Sequence, residues 1–204
     1  MIQKLHEWLT IIDFTAWYYL NTVWVNSFLD AFVPYLRNQW TWTPLYLFLL
    51  IFMLQNFRFK GLLWCVFFLG TFALSDQISA HVLKEIFMRL RPCNNPNLQT
   101  LVHIIVPCGS GYSFPSSHAA NHFALGTFSA FTLQKQVKWI WPAAMLWALS
   151  VSYAQVYVGV HFPLDVTCGG LLGFAIGKVT SKLFHMRFDL AAPGDIVPAR
   201  LFKK

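Results

Sequence analysis

Apolar residues fall in six stretches along the chain, at roughly 8–28, 43–57, 62–82, 115–133, 139–158 and 163–184. About 20 apolar residues cross the hydrocarbon layer of a bilayer, with about 17 as the practical lower limit. The pattern predicts an all-α, polytopic membrane protein built as a six-transmembrane-helix bundle. The second stretch is short for a crossing, with Trp40 and Trp42 at its interfacial edge. Before it, Asn26, Asp30, Pro34 and Arg37 mark a loop or an interfacial helix. The first stretch is long, carries Asp13 and lacks a small-residue cleavage site, so it reads as a retained helix. Residues 93–114 are rich in Asn, Pro, Gly and Ser. That is turn chemistry, long for a bundle connection, and it fits a lid or head-group loop.

Composition agrees with the pattern. The 204 residues are 56% hydrophobic and 11% charged, whereas soluble domains carry about 25% charged residues. A soluble protein with such a surface would aggregate. No polar stretch is long enough for a second domain, so residues 1–186 form one transmembrane unit and 187–204 a basic tail. Net charge is +7, and its placement sets the orientation. Lys4, Arg58, Lys60, Lys135, Lys138, Lys178, Lys182, Arg187, Arg200, Lys203 and Lys204 all fall on one side of the six-helix arrangement. The positive-inside rule makes that side cytoplasmic, with both termini inside. Lys84, Arg89 and Arg91 break the bias on the other side, which points to a use in chemistry. Cys65 and Cys168 lie in apolar stretches as packing residues. Cys93 and Cys108 bracket the polar loop: a disulfide if it faces an oxidising compartment, two free thiols otherwise.

Three short segments on the non-cytoplasmic side carry candidate chemistry: Lys84 to Pro92, Pro115-Ser116-Ser117-His118, and His161 to Asp165. Ionisable groups are costly in hydrocarbon, so their gathering at helix ends is a functional signal. Lys84 and Arg91 suit neutralisation of a phosphate, and Arg binds two oxygens at once. Alone, either would read as a snorkelling side chain. Ser116 and Ser117 stand where a helix begins, with free N–H groups for an anion or a plain Ser cap. His161 is the candidate nucleophile, and Asp165 is placed to fix its tautomer. The bland alternative is a structural His–Asp pair. His118 is the candidate general acid and base. His118 and His122 with His161 and Asp165 would make a zinc site, but Lys84 and Arg91 would repel the cation, and no metal is assigned. Asp76, His81 and Glu85 lie at similar depth as supporting groups.

The three segments, in this order, resemble the signature of the type-2 phosphatidic acid phosphatases: K-x6-R-P, P-S-G-H and S-R-x5-H-x3-D. Lys84, Arg91 and Pro92 match the first part; Ser117 replaces the Gly of the second; His161 and Asp165 match the third. Ala154 and Gln155 stand where the family has Ser and Arg. The resemblance covers roughly residues 60–180. It implies a six-helix bundle and metal-independent, cofactor-free hydrolysis of phosphate esters through a phosphohistidine. Lys84, Arg91, Ser116, Ser117 and Gln155 would hold the phosphate, His161 attack, Asp165 orient it, and His118 move the proton. With Gln155 neutral, either activity is reduced, Arg89 supplies the missing charge, or the chain is an inactivated variant. The implied setting is a bacterial inner membrane with the site facing the periplasm. The implied substrate is a lipid phosphate, with undecaprenyl diphosphate and lipid A ahead of phosphatidylglycerol phosphate and phosphatidic acid. Membrane lipids are the other partners; nucleic acid is not one, and oligomeric state is left open. The rivals are a weak or inactive lipid-phosphate binder and a small transporter.

Overall fold

The computed structural model describes residues 2–190, so the tail from 191 onward lies outside the described residues. Among these residues every regular element is helical. Helix α1 (Ile2–Tyr18) runs on into a π-helical turn, Tyr19–Val23. The amphipathic α2 (Ser27–Arg37) is capped by Asn26, whose side chain accepts from the Leu29 amide. It settles the loop-or-helix alternative in favour of a helix.

Helix α3 (Thr43–Asp76) folds back on itself at Arg58, which takes φ 50° and ψ −121°. A side chain at Gly61 would place its Cβ 1.9 Å from the Met53 carbonyl oxygen, so only glycine lets the limbs cross there. Tyr46 of the first limb meets Phe68 of the second edge-on at 6.4 Å. The two apolar stretches read at 43–57 and 62–82 are therefore these antiparallel limbs. Gln39–Phe87, which contains them, is long and apolar enough to cross a membrane. A π-helical segment, Gln77–Leu83, leads into the short α4 (Lys84–Phe87).

Helix α5 (Ser117–Leu133) is the buried centre of the bundle, and α6 (Ile140–Tyr157) and α7 (Pro163–His185) flank it. Its most extensive partner is α7. Gly169, Gly173 and Gly177, four residues apart, form one edge of α7. A Cβ on them would fall 2.4, 2.1 and 2.4 Å from the carbonyl oxygens of Ser116, Ala120 and Ala124. Small residues at this spacing let membrane helices approach to backbone contact. Outward, the bundle exposes large apolar side chains such as Phe48, Leu146, Leu171 and Leu183, as a lipid-facing surface does.

The bundle has two distinct ends. At one, Lys60 Nζ donates to the Asp189 carbonyl at 3.0 Å and His185 Nε2 lies 3.2 Å from the Phe131 carbonyl. At the other, the Ser116 amide donates to the Asp165 carbonyl at 3.0 Å, tying the starts of α5 and α7 together. Asp13 also reaches this second end, accepting from the Leu164 amide at 2.7 Å. The chain runs on past the site through residues 17–24, where Tyr19 and Trp24 are exposed while Trp17 is buried against Phe162. The helix rise of 1.5 Å leaves about 16 Å from Asp13 back to Ile2. The apolar stretch read at 8–28 therefore extends past the site end, because aromatic residues score as apolar whether they face hydrocarbon or its boundary.

Candidate active site

Asp165 organises the site. It sits at the third position of α7, where Pro163 fits the first turn and a carboxylate suits the helix dipole. Fully buried, it accepts from the Phe162 amide at 2.8 Å and from the Ser113 hydroxyl through a short hydrogen bond. Arg89 donates to its other oxygen at 2.6 Å.

His161 is 1% exposed, just before α7. Its Nδ1 lies 3.3 Å from Ser113 Oγ and 3.5 Å from Asp165 Oδ2. Ser113 thus stands between the ring and the carboxylate. With Nδ1 turned towards these groups, Nε2 is the nitrogen left for other chemistry. Its amide donates to the Gln155 carbonyl at 3.2 Å, so the end of α6 fixes the backbone from which the ring projects. Burial pushes the imidazole pKa down to about 4, against the upward pull of Asp165.

On α5, Ser116 is the N-cap. Its hydroxyl accepts from the Ala119 amide at 3.5 Å and retains its own O–H as a donor. The Ser117 hydroxyl is buried without a hydrogen-bond partner among the described residues. His118 follows on the same first turn and, with Ser117, lines a cavity of about 620 Å³. His122 turns its Nδ1 onto the His118 carbonyl at 2.8 Å and packs its ring against Trp147. Among the described residues no three His, Cys, Asp or Glu side chains gather for a metal ion.

Arg91 approaches from the loop before α5, its Nε donating to the Gly111 carbonyl at 3.2 Å. Burial, and then the Arg37 charge, lower its pKa. Lys84 begins α4 on the same side. Gln155 is fully buried, and neither its amide nitrogen nor its oxygen has a hydrogen-bond partner among the described residues. Cys93 and Cys108 are joined as a disulfide that closes residues 93–108, and Gly109 and Gly111 follow directly, against the Arg91 guanidinium. Asp76 accepts from Asn121 at 2.9 Å, one turn below His118, as a supporting contact.

Three participants escaped the motif reading. Ser113 left no signal beyond lying near Pro115. Asp13 did leave one, since a carboxylate in an apolar stretch needs a cation. Arg89 is that cation, a use different from the one the sequence offered as one of three alternatives for Gln155. It bridges Asp13 at 2.5 Å and Asp165 at 2.6 Å and stacks over Phe162 at 4.1 Å. A guanidinium held by two carboxylates does not replace the charge missing at Gln155.

Comparison with known proteins agrees with the motifs. Residues 61–189 match the profile of the PAP2 superfamily. A lipid A 4'-phosphatase of Bacteroides thetaiotaomicron is 32% identical over 199 residues, covering 92% of this chain and 86% of that protein. An undecaprenyl-diphosphatase of Sulfolobus acidocaldarius is 34% identical over 76% of this chain and 69% of its own length. The crystal structure of a transmembrane PAP2-type phosphatidylglycerolphosphate phosphatase from Bacillus subtilis superposes with a TM-score of 0.67 at 24% identity, over 88% of each chain.

Proposed function

The chain belongs to the PAP2 superfamily, and on that premise we propose how this membrane lipid phosphatase works and what it acts on. The observation that carries the mechanism is the union of two helix starts. The Ser116–Asp165 backbone bond and the glycine edge of α7 bring the His118 turn beside the His161–Ser113–Asp165 group. A phosphate bound there meets a neutral imidazole nitrogen, a second imidazole and buried cations.

In the first step Lys84, Arg91, Ser116, Ser117 and Gln155 hold the phosphate oxygens and spread their charge. His161 Nε2 attacks phosphorus, the P–O bond to the lipid breaks, and protonated His118 gives its proton to the leaving oxygen. Ser113 and Asp165 steady the imidazolium-like ring at Nδ1. In the second step His118 takes a proton from water, whose oxygen attacks phosphorus. The P–N bond breaks, and inorganic phosphate leaves. Every group in this cycle is a side chain of the protein, and no metal or cofactor is invoked.

The cavity beside His118 fits a lipid. Its polar end carries Asp76, Ser117, His118 and Asn121, and its walls are Leu47, Leu50, Phe68, Leu69, Phe72 and Leu125. A phosphate at the polar end leaves hydrocarbon along α3 and α5. We take undecaprenyl diphosphate or lipid A as the substrate class, supported by the relatives at 32% and 34% identity.

We place six spanning segments: α1, the two limbs of α3, α5, α6 and α7, forming one domain over 1–186. Both termini lie in the cytoplasm of a bacterial cell, α1 being the shortest crossing, with the site facing the periplasm. The Cys93–Cys108 disulfide beside the site supports that orientation, because disulfides persist in oxidising compartments. Tail residues 187–190 lie at the opposite end, the end of Lys60 and His185.

The test is phosphate release from a panel of lipid phosphates in detergent. Release that continues in EDTA and vanishes in His161→Ala is expected. Release only with added divalent metal, or release persisting in His161→Ala, contradicts the mechanism. Lipid-phosphate binding without turnover in any wild-type sample, with Gln155→Arg active, would favour the inactive binder.

A further inference from the structure

Arg37 lies outside all three motifs and outside the 61–189 segment that matches the family profile. It is the last residue of α2, which packs on α6, the helix that carries Gln155. The turn beyond it is fixed. Trp42 Nε1 donates to the Leu36 carbonyl at 2.8 Å, and the Asn38 side chain accepts from the Trp40 amide at 3.0 Å. From this position Arg37 lines the same cavity as Ser117 and His118.

Among the described residues Arg37 makes no ion pair, unlike Arg89 with its two carboxylates. Its guanidinium is substantially removed from water, and burial lowers its pKa. It is near enough to Arg91 to disfavour that residue's charge as well. The carboxylate on this cavity, Asp76, accepts from Asn121 instead. A guanidinium withdrawn from water near the buried Arg91, with no carboxylate paired to it among the described residues, is an unfavourable arrangement by itself. A dianion between them removes the conflict. Arg37 also offers what the buried Gln155 amide lacks, a charge-assisted, bidentate donor for phosphate oxygens.

We propose that Arg37, projecting from α2, binds the substrate phosphate and replaces in function the arginine that Gln155 displaces on α6. This rests on the lipid-phosphatase reading and names the residue that keeps its site cationic. The interfacial helix α2 thereby becomes part of the active site, and the charge count around the phosphate is restored from a different element.

The test uses the full chain in detergent as wild type, Arg37→Gln, Arg37→Met, Gln155→Arg and the double variant Arg37→Gln/Gln155→Arg. Inorganic phosphate binding is measured by calorimetry, and kcat and KM on a lipid phosphate are measured alongside. Losing one charge-assisted contact should weaken phosphate binding and lower kcat/KM by roughly 10- to 150-fold in Arg37→Gln. Arg37→Met, which keeps an apolar stem against the cavity wall, should behave alike, so the result does not depend on one variant folding. Gln155→Arg should raise kcat/KM far more in the Arg37→Gln background than in wild type. Phosphate binding and kcat/KM within about twofold of wild type in both Arg37 variants would overturn the proposal. So would an equal gain from Gln155→Arg in both backgrounds. A wild type that binds phosphate but turns over no lipid phosphate would instead sink the phosphatase reading, and calorimetry would still decide Arg37.

Discussion

The His161 ring has its pKa pushed down to about 4 by burial, so the free enzyme holds a neutral nucleophile between about pH 5 and 8. The sign for stability follows. In the unfolded chain the ring titrates near 6.5. As pH falls from about 6.5 towards 4, the unfolded state takes up a proton that the folded state refuses. Thermal stability in detergent should therefore drop across that window, and His161→Gln should flatten part of the slope. A histidine NMR titration showing a His161 midpoint near 6.5 would contradict the burial effect. Ser113 stands between His161 and Asp165, so Ser113→Ala should lower kcat by roughly tenfold or more, with KM nearly unchanged. Equal effects on substrate affinity would place it on the substrate instead. Arg89→Ala strands Asp13 and Asp165 and should cost about 1–3 kcal/mol, read as a lower melting temperature. Lys84, Arg91, Ser117, His118, His161 and Asp165 stood out as candidates in the sequence because their chemistry is unusual in hydrocarbon and their spacing is fixed. Ser113 and Arg37 did not, because a lone Ser in a polar loop and a lone Arg at a helix end are ordinary. Only the fold reveals what they face.

At the scale of elements, the contact between α5 and α7 determines whether the two histidines meet. Gly173→Ala sets a Cβ 2.1 Å from the Ala120 carbonyl oxygen, which forces the helices apart. Overpacking of this kind typically costs about 1–3 kcal/mol, and activity should fall with it as the His118 turn leaves α7. Gly70→Ala is the control: nothing lies within 4 Å of its Cβ, and alanine in a helix is favoured by up to about 1 kcal/mol. A melting temperature unchanged in Gly173→Ala would contradict this packing account. Helices α5, α6 and α7 were legible to within a few residues, since buried apolar runs end where Pro115, Pro163 and the polar connections begin. The fold-back at Arg58 was legible from its charge among apolar residues. The depth of α1 was not, because Trp and Tyr read alike in hydrocarbon and at its edge. The π-helical segments at 19–23 and 77–83 have no period that distinguishes them from α-helix.

For the whole molecule, orientation and chemistry make one prediction each. If the site faces outward, an impermeant thiol reagent applied to intact cells should label Cys93 and Cys108 only after reduction, while labelling from the inside alone would invert the topology. Cross-linking this loop of 15 residues is worth about 3 kcal/mol, so reductant should also lower the melting temperature. The all-helical membrane bundle was legible from hydropathy. The cavity was not, because its walls come from α3 and α5 and its polar residues from α2 and the turn after it, α3 and α5. The central claim is that His161 and His118 act on one phosphorus atom, and the direct measurement is covalent trapping. Acid-labile, base-stable label from a 32P-labelled lipid phosphate should appear on wild type under rapid quench, persist longer on His118→Ala, and be absent from His161→Ala. Label retained by His161→Ala, or full turnover by wild type with no trapped phosphoenzyme, would contradict it.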